Sequence, residues 1–583
     1  MTGRPGDAFV VDARDSILMP GMIDTHRHMW QTMLRGLGAE WTMQNYMQWM
    51  FYEWGTHWRP EDVYAGDYLS MVEAIDNGVT MSLDWSHGLR TPEHADAAAD
   101  ALFDSGGRAR LAYGNSFGKP EEWATNGDVD RLLRDRFSSK EQLVTLQLAT
   151  EGSGDPAFPE RPFWEFARDR DLAVTLHAGT WGFPLDIAIQ NLHDNGFLLP
   201  TNTYMHAASL EDSSYRMIAA SGGNVSVSAE SEVNAGLGYP PTGKVRDHHI
   251  PVSLSIDSNV WGSADMFSAM RATLNADRAF DHQRAHRDGL TVVNNDLRTK
   301  DVLHYASQGG ADALGLGSSL GSITPGKLAD LVLLRADTPS MVPLINAEHQ
   351  IVFQASRAEV DTVMVNGRVM KYAGELIAPD LRRARRLAET SRDRLRDTVG
   401  EKQWAEAQEP PTSRFGPGPF HSRAVRDRLP GRPRGIPVRL PLAAEPGFSS
   451  AVMAMAMTAD VRSYEEEPQE FRGTASAQVW LWHAQVTLMN PGLPTADSIL
   501  SDLTCGYCGT GYFRSHSLHA APQVCCPLGP VSPVARNSTV PMVAALAGAA
   551  TAIPPTTEAA VRASATPAVR ILGLRRVLDA LMA

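Results

Sequence analysis

The sequence is poor in cysteine, contains no long apolar run and carries no excess of positive charge. Its four cysteines all lie between residues 505 and 526, so no disulfide framework holds the preceding part of the chain together. No run of about 18 apolar residues is present to span a membrane. The first residues also lack the basic and apolar regions of a signal peptide. We therefore expect a cytoplasmic protein that has no membrane partner.

The charge balance excludes a second class of function. The chain has 53 Lys and Arg residues against 67 Asp and Glu residues, a formal net charge of -14. An acidic chain is a poor binder of the nucleic-acid backbone, so we expect a small-molecule substrate and no nucleic acid. The length of 583 residues predicts two or more domains, and 43% hydrophobic content is typical of globular proteins.

Apolar runs alternate with helix-like stretches up to about residue 375. Strand–helix alternation over this length predicts a parallel sheet, and eight units predict an α/β fold of the (β/α)8 TIM-barrel type over residues 17–318. A doubly wound sheet is the alternative, but no glycine-rich dinucleotide loop follows any strand. The eight strand-like runs are "SILMPGMID" (16–24), 78–85, 108–114, 143–149, 172–178, 202–207, 223–229 and 250–257.

The chain after the predicted barrel changes character twice. Residues 319–375 read as short strands, with Asn366-Gly367 as a hairpin turn, and predict part of a small β domain. A charged helix is expected over 376–400. Residues 401–583 are low in complexity and rich in Pro, Gly and Arg, which predicts a disordered tail, or even read-through in a shifted frame. The cysteines and histidines within this tail have weak zinc-binding spacing.

Polar residues stand where the predicted strands end. His26 and His28 are two residues apart and therefore face the same side of a strand, while His177, His206 and Asp257 each end a later strand. The carboxyl ends of barrel strands open on one face, so these side chains should converge. Taken singly, each histidine can be a core residue and Asp257 a helix cap. Their coincidence predicts a site for zinc or ferrous iron.

The same residues carry a resemblance to a known family. "PGMIDTHRH", the two later histidines, the strand-end aspartate and "PGKLADLVLL" resemble the amidohydrolase superfamily over about residues 10–375. The chain looks closest to the branch of cytosine deaminase, triazine chlorohydrolases and deaminases of purine-related compounds. The resemblance implies that His26, His28, His177 and Asp257 bind one divalent metal ion, Zn or Fe. It implies that His206 polarises the attacked group or the water.

The implied reaction is hydrolysis of a C–N bond other than a peptide bond in a small heterocyclic substrate. Water activated by the metal would be the nucleophile, Asp257 would transfer its proton, and His206 would stabilise developing charge. Two alternatives stay open: hydrolysis of another bond, such as a carbon–halogen bond or a cyclic amide, and a truncated relative without catalysis. Homo-oligomers are common among such relatives, so we expect that this chain can form a homo-oligomer.

The sequence departs from the family pattern at the position where the family carries a general acid. Deaminases of this branch carry a glutamate three residues after the third metal histidine, and this position holds Thr180, which cannot act as a general acid. Glu230 or Glu232 could take its place and contact the substrate. A second metal is not expected, because no lysine ends the strand "LVTLQLATEG", although Glu151 could bridge two ions.

Further expectations concern substrate contacts and the start of the chain. Gln31 and Trp30 follow the histidine pair, and Trp85 and His87 end the second strand, where an aromatic and a polar group suit a flat heterocycle. The family places a longer segment of its small β domain before the barrel. Residues 1–16 therefore look like a remnant of that domain, or the annotated start is late.

Overall fold

The structure is a computed structural model, and it describes residues 9–180, 186–410 and 569–572.

Two short strands precede the barrel. Strand β1 (Phe9–Asp12) is followed by β2 (Ser16–Pro20). Strand β2 is an edge strand of a small antiparallel sheet and does not belong to the barrel. The expected first barrel strand, "SILMPGMID", is thus two strands that lie in different sheets.

Eight parallel strands form the barrel and follow one another around it in chain order. The ring is completed by backbone hydrogen bonds near its carboxyl end: His28 N donates to Asp257 O (2.8 Å), and Asp257 N donates to His26 O (2.9 Å). The predicted (β/α)8 architecture is therefore confirmed. The strands are β3 (Met22–Arg27), β4 (Val79–Ser86), β5 (Arg108–Tyr113), β6 (Val144–Glu151), β7 (Val174–Ala178), β8 (Thr203–His206), β9 (Asn224–Val227) and β10 (Val252–Leu254).

Helices cover the outside of the barrel, which explains why strands such as β3 and β4 are buried along their whole length. Proline opens several helices, a position that needs no backbone N–H donor. They are α1 (Met43–Tyr46), α2 (Pro60–Asp76), α3 (Pro92–Ser105), α4 (Pro120–Trp123), α5 (Asp128–Asp135), α6 (Arg161–Asp169), α7 (Asp186–Asp194), α8 (Asp212–Ser221), α9 (Ala229–Ala235), α10 (Thr242–Asp247), α11 (Met266–Arg287), α12 (Thr299–Tyr305) and α13 (Gln308–Ala313).

The connection between β3 and α2 is unusually long and helical. We call residues 28–59 the β3–α2 segment. It contains a 3-10 helix (Met29–Leu34), α1, a π-helix (Met47–Glu53) and a second 3-10 turn (Gly55–His57). Short π-helices occur frequently at functional sites, and this one lies over the carboxyl end of the barrel.

The small sheet has the strand order β14-β13-β12-β11-β2, and all its neighbours are antiparallel. Asn366 and Gly367 both have positive φ and join β12 to β13, as the sequence predicts for this turn. Helix α14 (Ala347–Phe353) lies between β11 and β12 in the chain. The strands are β11 (Leu331–Arg335), β12 (Val360–Val365), β13 (Arg368–Tyr372) and β14 (Glu375–Leu376).

Gly21 and Asp330 join the two sheets. A Cβ at Gly21 would lie 2.0 Å from Thr80 Oγ1, so only glycine fits between β2 and β3. Gly21 N donates to Asp330 O (2.9 Å), and the Asp330 carboxylate receives Nε and Nη2 of Arg108 at 3.0 Å each. Asn366 N donates to the same carboxylate at 2.7 Å. This buried pair ties a barrel strand to the small sheet.

Helical structure continues beyond residue 400, where the sequence predicts that a disordered tail begins. Helix α15 (Leu381–Val399) is followed by α16 (Glu401–Gln408). Trp404 of α16 is buried and stacks on Trp54, with ring centroids 5.7 Å apart. Trp41 Nε1 donates to Ala407 O (2.7 Å). The tail prediction is therefore wrong for residues 401–408, because α16 has tryptophan partners in the β3–α2 segment.

Most of the predicted tail, including the cysteine and histidine group between residues 505 and 526, lies outside the described residues. Strand β15 (Val569–Leu572) is described and pairs in parallel with β1. None of the helices in the described parts of the chain is long and apolar enough to cross a membrane.

Candidate metal centre and active site

The five residues predicted to converge do so at the carboxyl end of the barrel. His26 lies near the end of β3, His28 directly follows it, His177 and His206 lie at the ends of β7 and β8, and Asp257 follows β10. The ring centroid of His26 is 4.6 Å from that of His28, 5.1 Å from that of His177 and 5.4 Å from that of His206. The barrel therefore brings four imidazoles and one carboxylate to one point.

The distances between donor atoms fit a bound cation. Asp257 Oδ1 lies 3.1 Å from His26 Nε2 and 3.2 Å from His28 Nε2. Bonds of about 2.0–2.1 Å in a tetrahedral zinc site separate neighbouring ligand atoms by about 3.3–3.4 Å. In two sets, His26–His28–Asp257 and His26–His177–His206, the potential ligand atoms all lie within 4.8 Å of one another. Imidazole nitrogens with one carboxylate oxygen are a donor set suited to a divalent transition metal.

Neighbouring groups orient two of the imidazoles. Nδ1 of His28 donates to the carbonyl oxygen of Trp85 (2.8 Å), and Nδ1 of His177 donates to the Glu151 carboxylate (2.9 Å to Oε2). Each bond fixes the ring and leaves Nε2 with its lone pair available. Glu151 also accepts a hydrogen bond from Ser116 Oγ (3.2 Å). This carboxylate therefore orients a histidine ring.

Charge and burial give the cluster members different pKa values. Burial, reinforced by the charge of His28, holds the pKa of His26 well below its usual value, so its ring is neutral and can coordinate. Burial alone would raise the pKa of Asp257, but hydrogen bonds from His26 and His28 hold it well below its usual value. The Asp257 carboxylate is therefore ionised near neutral pH.

His206 is set apart from the other histidines by a buried partner. Its Nδ1 donates to Glu232 Oε1 (3.3 Å), and Ser228 N donates to the same oxygen (2.8 Å). Burial alone would lower the pKa of His206, but the bond to Glu232 and the charge of Asp257 raise it above its usual value. His206 can therefore carry a proton at Nε2 and donate it towards the centre of the cluster.

The backbone is strained at two of these positions. His206 and Asp257 have φ values of 67° and 61°, in the left-handed region that residues with a side chain rarely adopt. Such conformations cost about 1–3 kcal/mol each and collect at functional sites. Both strained residues belong to the cluster at the carboxyl end of the barrel.

A cavity opens beside the cluster. Much of its wall is apolar, and five of its lining residues come from α1 and the adjoining π-helix. Glu151, placed at the end of β6, contributes a carboxylate to the wall. The lining residues are His28, Met43, Tyr46, Met47, Phe51, Tyr52, His87, Ser116, Phe117, Glu151, His177, Thr180, His206, Leu237, Asp257 and Trp261.

Of the five residues predicted to contact substrate, the structure places His87 on the cavity wall. Three of the others, Gln31, Trp85 and Glu232, contact residues of the site from behind, and Glu230 does not. Gln31 donates to Tyr46 OH (2.6 Å), and the buried Trp85 packs against His177 with ring centroids 4.1 Å apart. Glu232 holds His206, as described above. Glu230 accepts a hydrogen bond from Ser263 Oγ (2.7 Å) and does not line the cavity.

Substrate contact by Gln31, Trp85, Glu230 and Glu232 stays a prediction, and the structure places these four side chains off the cavity wall because side chains beyond a strand end take their direction from loops. The sequence prediction missed the aromatic residues of the β3–α2 segment, although "MQNYMQWMFYEW" (43–54) is conspicuously rich in aromatic and Met residues. Thr180 does line the cavity, and it brings a hydroxyl where the family pattern expects a carboxyl group. Trp30, placed beside the histidine pair, donates from Nε1 to His87 Nδ1 (3.2 Å).

Comparison with known proteins identifies the family. The sequence model of the amidohydrolase family matches residues 17–370, more than half of the chain. A 5'-deoxyadenosine deaminase of Methanothermobacter thermautotrophicus is 26% identical over 406 residues, which cover 67% of this chain and 90% of the relative. A 5-methylthioadenosine/S-adenosylhomocysteine deaminase of Dictyoglomus thermophilum is 24% identical over 383 residues, 63% of this chain and 85% of the relative.

Solved structures share the fold. An adenosine deaminase from Xanthomonas campestris with bound zinc has a TM-score of 0.56 at 24% identity, covering 66% of this chain and 87% of its own. An atrazine chlorohydrolase from Arthrobacter aurescens complexed with zinc also has a TM-score of 0.56, at 21% identity, covering 66% of this chain and 89% of its own. By the match of its sequence over residues 17–370, this chain belongs to the amidohydrolase family.

Proposed function

We propose that this amidohydrolase displaces an amino group from a small heterocyclic ring, with water as the nucleophile. The convergence of His26, His28, His177 and Asp257 at the carboxyl end of the barrel carries the proposal. The relatives named above as deaminases support the choice of a C–N bond.

In this proposal His26, His28, His177 and Asp257 hold one divalent metal ion. When bound, that ion would lower the pKa of a coordinated water towards neutrality. Zinc is the metal we propose, since the donor set suits it and zinc is bound in both structural neighbours described above. A single ion is proposed because Glu151 is engaged by His177 and Ser116.

The chain's own residues then move the protons. The ionised Asp257 accepts a proton from the attacking water and delivers it to the departing nitrogen, which leaves as ammonia while the ring carbon gains oxygen. Nε2 of His206 donates a hydrogen bond to the charge that develops in the cavity. Glu232 keeps His206 oriented and protonated through its bond to Nδ1.

Metal analysis and ammonia release test this proposal together. We expect about one zinc per full-length chain, loss of that metal in His26→Ala, and ammonia release from aminated purines or triazines. Asp257→Asn should lower kcat by at least about 100-fold, the size of a general acid–base contribution. Glu230→Gln is the matched control, because Glu230 lies outside the cavity wall. Full turnover by Asp257→Asn would contradict the mechanism.

A second candidate reaction follows from Thr180. Because this cavity residue cannot protonate a ring nitrogen, a better leaving group such as chloride would need less assistance. Matched 2-amino and 2-chloro triazines separate the two reactions. Faster chloride than ammonia release would favour carbon–halogen hydrolysis, and the reverse order would favour deamination.

A further inference from the structure

The charge and shape of the cavity wall favour one class of substrate. Resting on the proposed function, we propose that the cavity selects an uncharged aromatic heterocycle with an apolar substituent and rejects substrates whose substituent is a carboxylate or a phosphate. Three properties of the wall support this substrate class: its charged groups, its aromatic surface and its flexible apolar side chains.

The charged groups of the wall are unfavourable to an anion. Among the described residues that line the cavity, none is Lys or Arg, while Glu151 and Asp257 are carboxylates. The segment 181–185, which lies outside the described residues, also contains no Lys or Arg in its sequence. At the apolar end of the cavity, away from His206 and the proposed metal ion, an anionic substituent would therefore lose its hydration without gaining a cationic partner, and an unpaired charge is costly to bury.

A nearby arginine does not change this balance. The guanidinium of Arg90 lies 5.8 Å from the ring centroid of Phe117, but Arg90 is not part of the cavity wall. Its Nη2 donates to the carbonyl oxygens of Thr56 (3.0 Å) and Trp58 (2.7 Å). These bonds engage Arg90 in holding the β3–α2 segment.

The aromatic surface begins at the histidine cluster and continues along the wall. The rings of His28 and His87 lie 4.1 Å apart, and Phe51 is 5.2 Å from His87. Phe51 and Phe117 are stacked, with centroids 5.4 Å apart and an angle of 28° between their planes. Faces of this kind bind flat rings through stacking and burial of apolar area. A ring held on this surface lies next to the catalytic centre.

Apolar side chains complete the wall around the substituent. Met43 and Met47 line the cavity and are partly exposed, and the buried Leu237 lines it as well. Methionine is unbranched and adapts to irregular apolar groups. The wall therefore accommodates alkyl or aryl substituents of varied shape.

Matched ligands test the substrate class directly. The probes are two 6-aminopurines that carry either a propyl or a 2-carboxyethyl group at N9, and two 2-amino-1,3,5-triazines with the same pair of substituents. Binding is measured by calorimetry on the full-length protein, zinc-loaded and after chelation. We expect the propyl ligand of at least one ring to bind about tenfold or more tightly than its carboxyethyl partner in both states, since about 1.4 kcal/mol corresponds to tenfold.

A charge introduced into the wall provides the mutational test. Met47→Lys should tighten binding of the carboxyethyl ligand at least about fivefold, because a lysine supplies the missing cation. Met47→Gln, which has a similar length and no charge, should not. Equal effects of the two variants would overturn the proposal. Equal or tighter binding of the carboxyethyl ligand by the wild type, or no binding of either propyl ligand, would overturn it as well.

The outcome is separable from the proposed function. Ammonia release measured in parallel without any preference for the propyl ligands would refute the substrate class and leave the hydrolase proposal standing. A preference for the propyl ligands without ammonia release would do the reverse.

Discussion

Helix α16 supports the cavity from the outside, and Trp404→Ala tests this support. The Trp404 ring stacks on Trp54, and Trp54 Nε1 donates to Gln403 Oε1 (3.2 Å). Trp54 directly follows the π-helix, which contributes part of the cavity wall. Removing the indole should therefore release α16 and loosen the wall.

The magnitude follows from the buried area. A tryptophan side chain buries about 150–250 Å². At about 25 cal/mol per Å² this amounts to about 4–6 kcal/mol as an upper bound, and Trp→Ala substitutions in cores cost about 3–5 kcal/mol. Because α16 makes its buried contacts through Trp404 and Ala407, we expect most of this loss to appear as undocking of α16. The barrel should remain folded.

Limited trypsin digestion measures this undocking. Cleavage after Lys402, followed by mass spectrometry, should accelerate at least about tenfold in Trp404→Ala, because proteolysis reports the open population. KM should rise more than kcat falls, and metal content should not change. Gln408→Ala on the exposed face of α16 is the control. Equal cleavage rates and equal KM values in the two variants would refute this reasoning.

Three further predictions concern stability. Asp330→Ala leaves the buried Arg108 unpaired and should lower the free energy of unfolding, measured by urea titration, by about 3–5 kcal/mol. A loss below about 1 kcal/mol would show that this ion pair does not stabilise the fold. Burial raises the pKa of Asp84 to about 7, with Asp67 close by, so its contribution to stability is present below about pH 4 and is lost as the pH rises through 7. Asp84→Asn should therefore gain stability relative to the wild type between pH 4 and pH 8, by up to about 4 kcal/mol, whereas parallel pH profiles would contradict the prediction. Gly21→Ala should strongly destabilise the junction of the two sheets and give a lower Tm than Gly243→Ala, where no neighbouring atom lies within 4 Å of the added Cβ. Equal Tm values for the two variants would contradict the prediction.

The barrel and its metal cluster could be predicted because strand geometry has few solutions. Parallel strands bring their carboxyl ends together, so His26, His177 and His206, which lie within their strands, needed no knowledge of loops. His28 and Asp257 lie just beyond their strands and close enough to the ends to follow the same geometry. The division of "SILMPGMID" into two strands of different sheets could not be predicted from the sequence, since both halves are apolar and only a Pro-Gly pair separates them.

Residues whose role depends on the direction of a loop were harder to predict. Glu230 and Glu232 both follow β9, yet one accepts a hydrogen bond from Ser263 and the other from His206. Helix α16 was missed for a related reason: short helices are stabilised by their partners, and the tryptophans that bind α16 lie more than 300 residues earlier in the chain.

The last backbone contact of the barrel has a consequence for the metal. The ring closes where His28 N meets Asp257 O and Asp257 N meets His26 O, so the seam between the first and the last barrel strand runs through the proposed ligands themselves. Thermal opening of that seam would separate Asp257 from the two histidines, and a cation held by all three would oppose this opening. Zinc should therefore slow hydrogen exchange at the amides of His28 and Asp257 more than at amides on the opposite side of the barrel. Metal binding at the proposed active site would then also stabilise the closed barrel.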